Sequence, residues 1–346
     1  MEIKFNTLGS ILKGSMKTWL VTPHRLLALV IITFSFLVPS IKLDITLLRS
    51  ITLASISAIF AASWDLLAGY CGQPNFGHAL TFGLGAYGTA LLYNLLGLSP
   101  WIAIPVNLLI ACVISVIIGF PFLRVRGPYF SLMSMVFPQI ATSIILLFKD
   151  VTRGDRGLPC PTFFPFLTIT ERRIAEYYMA LLFLLVSGII MYKIANSLRG
   201  RIFISILDDE LASQSCGINI TKYKMQALIV SNCFACLAGS LYAPIVNLAS
   251  LWTFSLTFSF YPVIWTVFGG VQTIYGAIMG AVILETLDRY ILNVVVPVPQ
   301  EWHMVIFSIP IVIFIIKWRF GLVRLIVEKI KNISGKTSVV KESHGG

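Results

Sequence analysis

The sequence predicts an all-α polytopic membrane protein with about ten transmembrane helices (eight to ten) and a cytoplasmic helix between the sixth and the seventh. Three observations lead there. Of 346 residues, 57% are apolar and only 12% charged, about half the share usual in soluble domains. The apolar residues fall in runs close to the roughly 20 residues that one bilayer crossing needs. The basic residues cluster in alternate breaks between those runs. A soluble enzyme of this size could not hide so much apolar surface, and a disordered chain would be polar.

Residues 1–25 are mixed polar and basic, with Lys4, Lys13, Lys17 and Arg25 and no apolar core of the kind a signal peptide has. They read as a cytoplasmic N-terminal arm. The transmembrane domain follows over 26–318, with apolar stretches at 26–41, 45–68, 76–97, 100–121, 127–149 and 175–196. A polar break covers 197–224, and further stretches lie at 225–247, 256–271, 273–293 and 302–318. The stretches 26–41 and 256–271 are short, the pattern of broken helices at transport pathways. The pattern leaves open whether 256–293 is one broken hairpin or two spans. Residues 319–346 read as a basic cytoplasmic tail.

Orientation follows from charge, because cytoplasmic loops collect Lys and Arg. Arg124 and Arg126 lie between the fourth and fifth stretches, Lys193, Arg199, Arg201, Lys222 and Lys224 flank the polar break, and Lys317 to Lys341 follow the last stretch. Ten spans with both termini cytoplasmic place all three clusters inside. The loop 150–174, whose charges balance, then falls outside. The net charge of +11 is read in the same way, as headgroup and topology signal with no nucleic acid as partner.

Little chemistry is written in the spans. Ser334-Gly335-Lys336-Thr337 imitates a phosphate-binding loop, but the required earlier glycine position holds Ile330. Asp65, His78, Glu285, Asp288 and Arg289 are the notable ionisable groups, and Glu285 and Arg289, one helical turn apart, are expected to pair. Among six cysteines, Cys233 and Cys236 have C-x-x-C spacing inside an apolar helix and read as packing residues. Glycines crowd Gly72 to Gly88 and Gly269 to Gly280, where Gly276-x-x-x-Gly280 is a close-packing spacing.

The polar break is more informative. Ile202, Phe203, Ile206, Leu207 and Leu211 recur at helical spacing around Asp208, Asp209 and Glu210. This predicts a short amphipathic helix or helix pair, with Gly217 as a stop. Anionic headgroups would repel three adjacent acids, so the segment is expected to dock into a partner protein.

At this point the residues resemble a known family. The run Trp64-Asp65-Leu66-Leu67-Ala68-Gly69-Tyr70-Cys71-Gly72-Gln73, then Phe76-Gly77-His78-Ala79 and Gly83-Leu84-Gly85-Ala86-Tyr87, is similar to the signature of LivM-type permeases, membrane subunits of ATP-binding-cassette (ABC) importers for branched-chain amino acids. Arg124-Val125-Arg126-Gly127-Pro128-Tyr129-Phe130, the segment from Gly200-Arg201 through Asp208-Asp209-Glu210-Leu211-Ala212 to Cys216-Gly217-Ile218-Asn219, Leu237 to Ala243 and Gly269-Gly270 also match. The blocks run in family order from about 60 to 285; Asp65 stands where the family usually has Asn.

The resemblance implies a transport subunit, not an enzyme, in a bacterial inner membrane. Its partners would be a second homologous permease subunit, two cytoplasmic ABC ATPase subunits and a periplasmic or extracellular substrate-binding protein. The chain itself would bind no cofactor, with ATP and Mg on the partner ATPase. The 197–224 segment would be the coupling helix, with Arg201, Ile206, Leu207, Asp208, Asp209, Glu210, Leu211, Ala212 and Gly217 docking or shaping it. Gln73, Asn75, His78, Tyr87, Gly269 and Gly270 are the expected residues of the translocation path or gate. The substrate would be a branched-chain or other hydrophobic amino acid; alternatives are urea or short amides carried in the same way, or an ion-coupled secondary transporter using Asp65 or Glu285.

Overall fold

In hydrocarbon a backbone N–H or C=O has no water to bond, so a spanning segment must satisfy its own backbone, and the helix is the local solution. The computed structural model describes residues 44–123 and 129–290. The arm 1–25, the stretches 26–41 and 302–318, Arg124, Arg126 and the tail 319–346 lie outside the described residues.

The described chain runs through α1 (Ile45–Cys71), α2 (Ala79–Leu96), α3 (Pro100–Phe122), α4 (Tyr129–Ser134), α5 (Val136–Leu147) and α6 (Lys149–Thr152). It continues as α7 (Ile169–Ala195), α8 (Leu198–Asp208), α9 (Glu210–Ser215), α10 (Ile220–Val246), α11 (Leu256–Gly269) and α12 (Ile274–Thr286). Among the described residues six helices, counting α4 and α5 together, are long and apolar enough to cross a membrane, and α11 with α12 makes a seventh candidate as one bent span. The protein is therefore an integral membrane protein of all-α type.

The break within 256–293, which the sequence left open, is sharp: α11 and the helix that continues α12 to Tyr290 bend by 111° at it, the shape of one broken span or of a re-entrant loop. One sequence expectation is revised in detail. The span expected at 175–196 begins earlier, at Ile169, because a capping box between Thr168 and Glu171 starts it. Arg173 then pairs with Glu176 at 2.9 Å on the same helix, so charges that looked like loop are the first turns of α7.

α1 is the hub. It is buried on nearly every side and packs against α7, α8, α10, α11 and α12. α3 is the inverse of a soluble helix: Leu109, Val113 and Ile117 are exposed, whereas Asn107 and Ser115 are buried. Inside a bilayer polar groups bind helices together. Asn107 Nδ2 donates to Thr89 Oγ1 at 2.9 Å and Ser240 Oγ at 3.1 Å, joining α2, α3 and α10. Eight residues on, the roles reverse, and Asn232 of α10 donates to Ser115 of α3 at 2.9 Å. Between these ties the Cys112 and Cys233 sulfurs meet at 3.1 Å, and Cys236 Sγ lies 3.4 Å from the Asn107 carbonyl, so the C-x-x-C pair packs as expected. All six cysteines are free. On the turn-rich segment after α6, Leu158–Pro159 pairs antiparallel with Leu248–Ala249.

α2 and α10 cross at backbone contact. A Cβ on Gly239 would stand 1.8 Å from the Phe82 carbonyl oxygen. Gly217, by contrast, has open space around it but a φ of +83°. We expect Gly239→Ala to lower stability in detergent by about 1–3 kcal/mol through overpacking, and Gly217→Ala by about 1 kcal/mol through backbone strain alone. Thermal unfolding of the two variants checks this; equal losses would mean that the α2–α10 crossing yields to a methyl group.

Candidate functional site

The expected path residues gather where α1 ends. After Cys71 the chain turns at Gly72, whose φ of +68° is natural only for glycine. It then doubles back along α1, because Trp64 Nε1 donates to the Asn75 carbonyl at 2.9 Å and His78 Nε2 lies 2.9 Å from Ser63 Oγ. Gln73, Asn75 and His78 are all buried in this loop. Gln73 Nε2 donates to the Gly72 carbonyl at 3.1 Å, and the Gly77 amide donates to Asn75 Oδ1 at 2.9 Å.

The hydrogen bonds fix the state of His78. Ser63 Oγ gives its one proton to the Phe60 carbonyl at 2.7 Å, so it accepts from His78 Nε2. Nδ1 is then the acceptor and faces Asn75 Nδ2 at 3.5 Å. The imidazole is neutral with its proton on Nε2, and it stacks on Phe60 at 4.9 Å with an interplanar angle of 9°. Tyr87 is not part of this group. It sits farther along α2, packed against Phe254 at 5.5 Å, with its hydroxyl buried and unbonded.

The loop has ties that the sequence did not show. The Phe76 and Gly77 amides donate to Ser134 Oγ of α4 at 2.9 and 3.2 Å, and the Ala79 amide donates to Ser259 of α11 at 3.2 Å. These partners are remote in sequence and carry no local pattern.

Gly269 and Gly270 lie at the bend between α11 and α12, beside α1. A Cβ on Gly269 would come within 1.9 Å of the Gly276 carbonyl, and one on Gly280 within 2.1 Å of the Trp265 carbonyl. The glycine spacing thus serves a backbone crossing. The Gln272 amide donates to Asp65 Oδ1 at 2.9 Å, and Asp65 Oδ2 is buried without a hydrogen bond. Asp65 is fully buried and holds the bend.

The polar break is a helix pair, α8 and α9, meeting at an elbow. Asp209 is extended at the joint and caps α9, accepting from the Leu211 and Ala212 amides at 2.8 and 3.0 Å. Ser205 and Ser213 close the elbow at 3.0 Å. Glu210 pairs with Lys224 of α10, whose side chain is only 2% exposed. Ile206 faces inward at 1% exposure and cannot lie on a docking face, because the helical ridge of Phe203 and Ile206 points into the bundle. Arg201, Asp208, Leu211, Ala212 and Gly217 are exposed. Leu207 is divided between the two sides: it is 36% exposed, yet a Cβ on Gly72 would meet its Cδ1 at 2.8 Å. The elbow therefore touches the first residue of the Gly72–His78 loop.

Among the described residues no group of three His, Cys, Asp or Glu side chains is placed to hold a metal ion. Cys160, on the loop before α7, has its thiol pushed up to about 12 by burial, so it is not a nucleophile at neutral pH.

A family model described as the permease component of branched-chain amino acid transport systems matches residues 46–315. The chain is 27% identical over 282 residues to the high-affinity branched-chain amino acid transport system permease protein LivM of Salmonella typhimurium, covering 75% of this chain and 65% of that one. It is 27% identical over 257 residues to LivM of Escherichia coli, covering 67% and 60%. A probable branched-chain amino acid transport permease protein LivM of Methanocaldococcus jannaschii is 21% identical over 275 residues, covering 68% and 79%. The match thus spans less than two thirds of the length of these two relatives, 65% and 60%. No solved structure matches.

Asp65 gives a direct check on the bend. Asp65→Leu removes the buried acceptor of the Gln272 amide and is expected to cost about 1–3 kcal/mol, whereas Asp65→Asn keeps an acceptor oxygen and is expected to cost less. Detergent melting curves of both variants decide; identical losses would show that the carboxyl is not what holds the bend.

Proposed function

The chain belongs to the family of branched-chain amino acid transport permease components, and from that premise we propose that it is the membrane-spanning permease subunit of an ATP-driven importer. The observation that carries this reading is the extent of the match, which takes in the spans, the Gly72–His78 loop and the elbow together. The substrate is a branched-chain or other hydrophobic amino acid. The partners are a second related permease, two cytoplasmic ABC ATPases holding ATP and Mg, and a substrate-binding protein at the outer face of a bacterial inner membrane. The termini and the α8–α9 elbow lie on the cytoplasmic side.

In this reading the exposed side of the elbow, with Arg201, Asp208, Leu211 and Ala212, is the docking face. Asp209 and Glu210 act one step behind it, since their bonds to the α9 amides and to Lys224 hold the elbow in shape. Closure of the ATPase pair shifts the elbow, and Leu207 carries the shift to Gly72 and the loop bearing Gln73, Asn75 and His78. The ion-coupled alternative loses its residues: Asp65 holds the α11–α12 bend and Glu285 pairs with Arg289.

The test uses the complex extracted from native membranes in mild detergent. With wild type, an ATPase and a second permease are expected to co-purify. Asp208→Lys combined with Leu211→Asp, both exposed, is expected to weaken ATPase retention roughly tenfold or more, equivalent to about 1.4 kcal/mol, with the melting midpoint unchanged. A chain that purifies alone and moves amino acids in vesicles without ATP overturns the proposal.

A further inference from the structure

Two of the described spans are far less covered than the rest. α3 and the α4–α5 span are 33% and 28% buried, against 67% for α1 and for α10. Their open faces differ in chemistry. Every exposed residue of α3 is apolar, with Leu109, Val113 and Ile117 outward and Asn107 and Ser115 turned in. Lipid tails suit such a face. α5 also shows an apolar stripe, Val136, Ile140, Ile144 and Leu147, but Gln139 and Ser143, one turn apart, are exposed within it.

Hydrocarbon treats these two polar groups differently. Ser143 satisfies its hydroxyl locally, donating to the Gln139 carbonyl one turn earlier at 3.0 Å. The side-chain amide of Gln139 has no hydrogen-bond partner among the described residues, so both its donors and its acceptor are open. Asn107 and Asn232 each leave one oxygen open, but both spend their amide nitrogen on other helices of this chain. Gln139 stands about 12 Å of helix short of Leu147, where the span ends. Its stem is shorter than those of Lys and Arg, which reach the interface by snorkelling. An amide left unpaired in hydrocarbon is costly, and lipid tails offer it nothing. In membranes glutamine is one of the side chains that bond across helices. The α5 face therefore calls for a helix that brings its own donor or acceptor.

We propose that the exposed face of α5, centred on Gln139 and Ser143, is the docking surface for a membrane-spanning helix of the second permease subunit, which bears a hydrogen-bonding side chain level with Gln139. The inference rests on the importer reading for the identity of the partner. It goes beyond that reading in choosing between two open faces: α5 meets protein and α3 meets lipid. It also says what lies behind the junction. The Phe76 and Gly77 amides bond Ser134 Oγ at the end of α4, and a Cβ on Gly77 would stand 1.9 Å from the Ser134 carbonyl. The Gly72–His78 loop is thus one helix removed from the boundary between the two permeases.

The experiment uses the full complex in its native membrane. The photoreactive amino acid benzoylphenylalanine is placed at Ile140 on α5 and, separately, at Val113 on α3, and the adducts are identified by mass spectrometry. Ile140 is expected to label the second permease, and Val113 to label lipid. Gln139→Leu breaks no hydrogen bond of its side chain within the described residues and makes the span more apolar. It is expected to lower retention of the second permease in mild detergent about three- to tenfold, with Gln139→Asn restoring part of it. Adducts from Ile140 that are absent, or confined to lipid, to another segment of this chain or to a second copy of it, overturn the proposal. Retention indifferent to Gln139→Leu overturns it too. ATP-driven leucine uptake into vesicles from the same complex separates the two readings. Uptake with Ile140 labelling only lipid sinks the docking surface alone, and Ile140 labelling a second permease without ATP-driven uptake sinks the importer reading alone.

Discussion

The structure depends on α1 being enclosed. A helix buried on nearly every side must be covered by others or by lipid. Here other helices cover it: α7, α10, α11, α12 and α8 pack around one rod from Ile45 to Cys71. Ser50, Thr52, Ser55 and Ser63 return their protons to carbonyls of α1 itself, and two of its polar residues reach outside it. Ser63 contacts His78 through its hydroxyl and accepts from Ser231 through its carbonyl at 2.6 Å. Asp65 takes the Gln272 amide at the α11–α12 bend. The Gly72–His78 loop, the α11–α12 bend and the elbow are therefore all attached to the same rod.

Polar residues in the spans are consequently poor signals of function when taken singly. With no hydrophobic drive between helices in lipid, hydrogen bonds and small residues do the joining. Asn107, Asn232, Thr89 and Ser240 join α2, α3 and α10, and Gly239 lets two backbones touch. Even these joints are incomplete: Asn107 Oδ1 and Asn232 Oδ1 are buried without a hydrogen bond, so an open polar atom by itself does not mark a binding site.

The spans were legible wherever apolar runs were long, as for α1 and α3, because run length against bilayer thickness is a one-dimensional property. The start of α7 was not, since its first turns are charged and become helix only through the Thr168–Glu171 cap and the Arg173–Glu176 pair. The elbow was legible as a helix pair from its spacing, but not which side faces inward. An amphipathic pattern shows that Ile206, Leu207 and Leu211 share a stripe; it does not show that Phe203 and Ile206 are consumed by the core while Leu211 is left out. The loop residues Gln73, Asn75 and His78 were found together because they are neighbours in sequence. Tyr87 was grouped with them by motif and stands apart, about 12 Å of helix beyond Ala79.

The same rod makes the elbow and the bend answerable to each other. Close-packed interiors move as units, with little compliance to absorb a local shift. Leu207 bears on Gly72 at one end of α1, and Asp65 of the same helix holds the bend. A displacement of the elbow that moves α1 along its axis would therefore be carried to the bend that Asp65 holds and, through α12, to the paired Glu285 and Arg289.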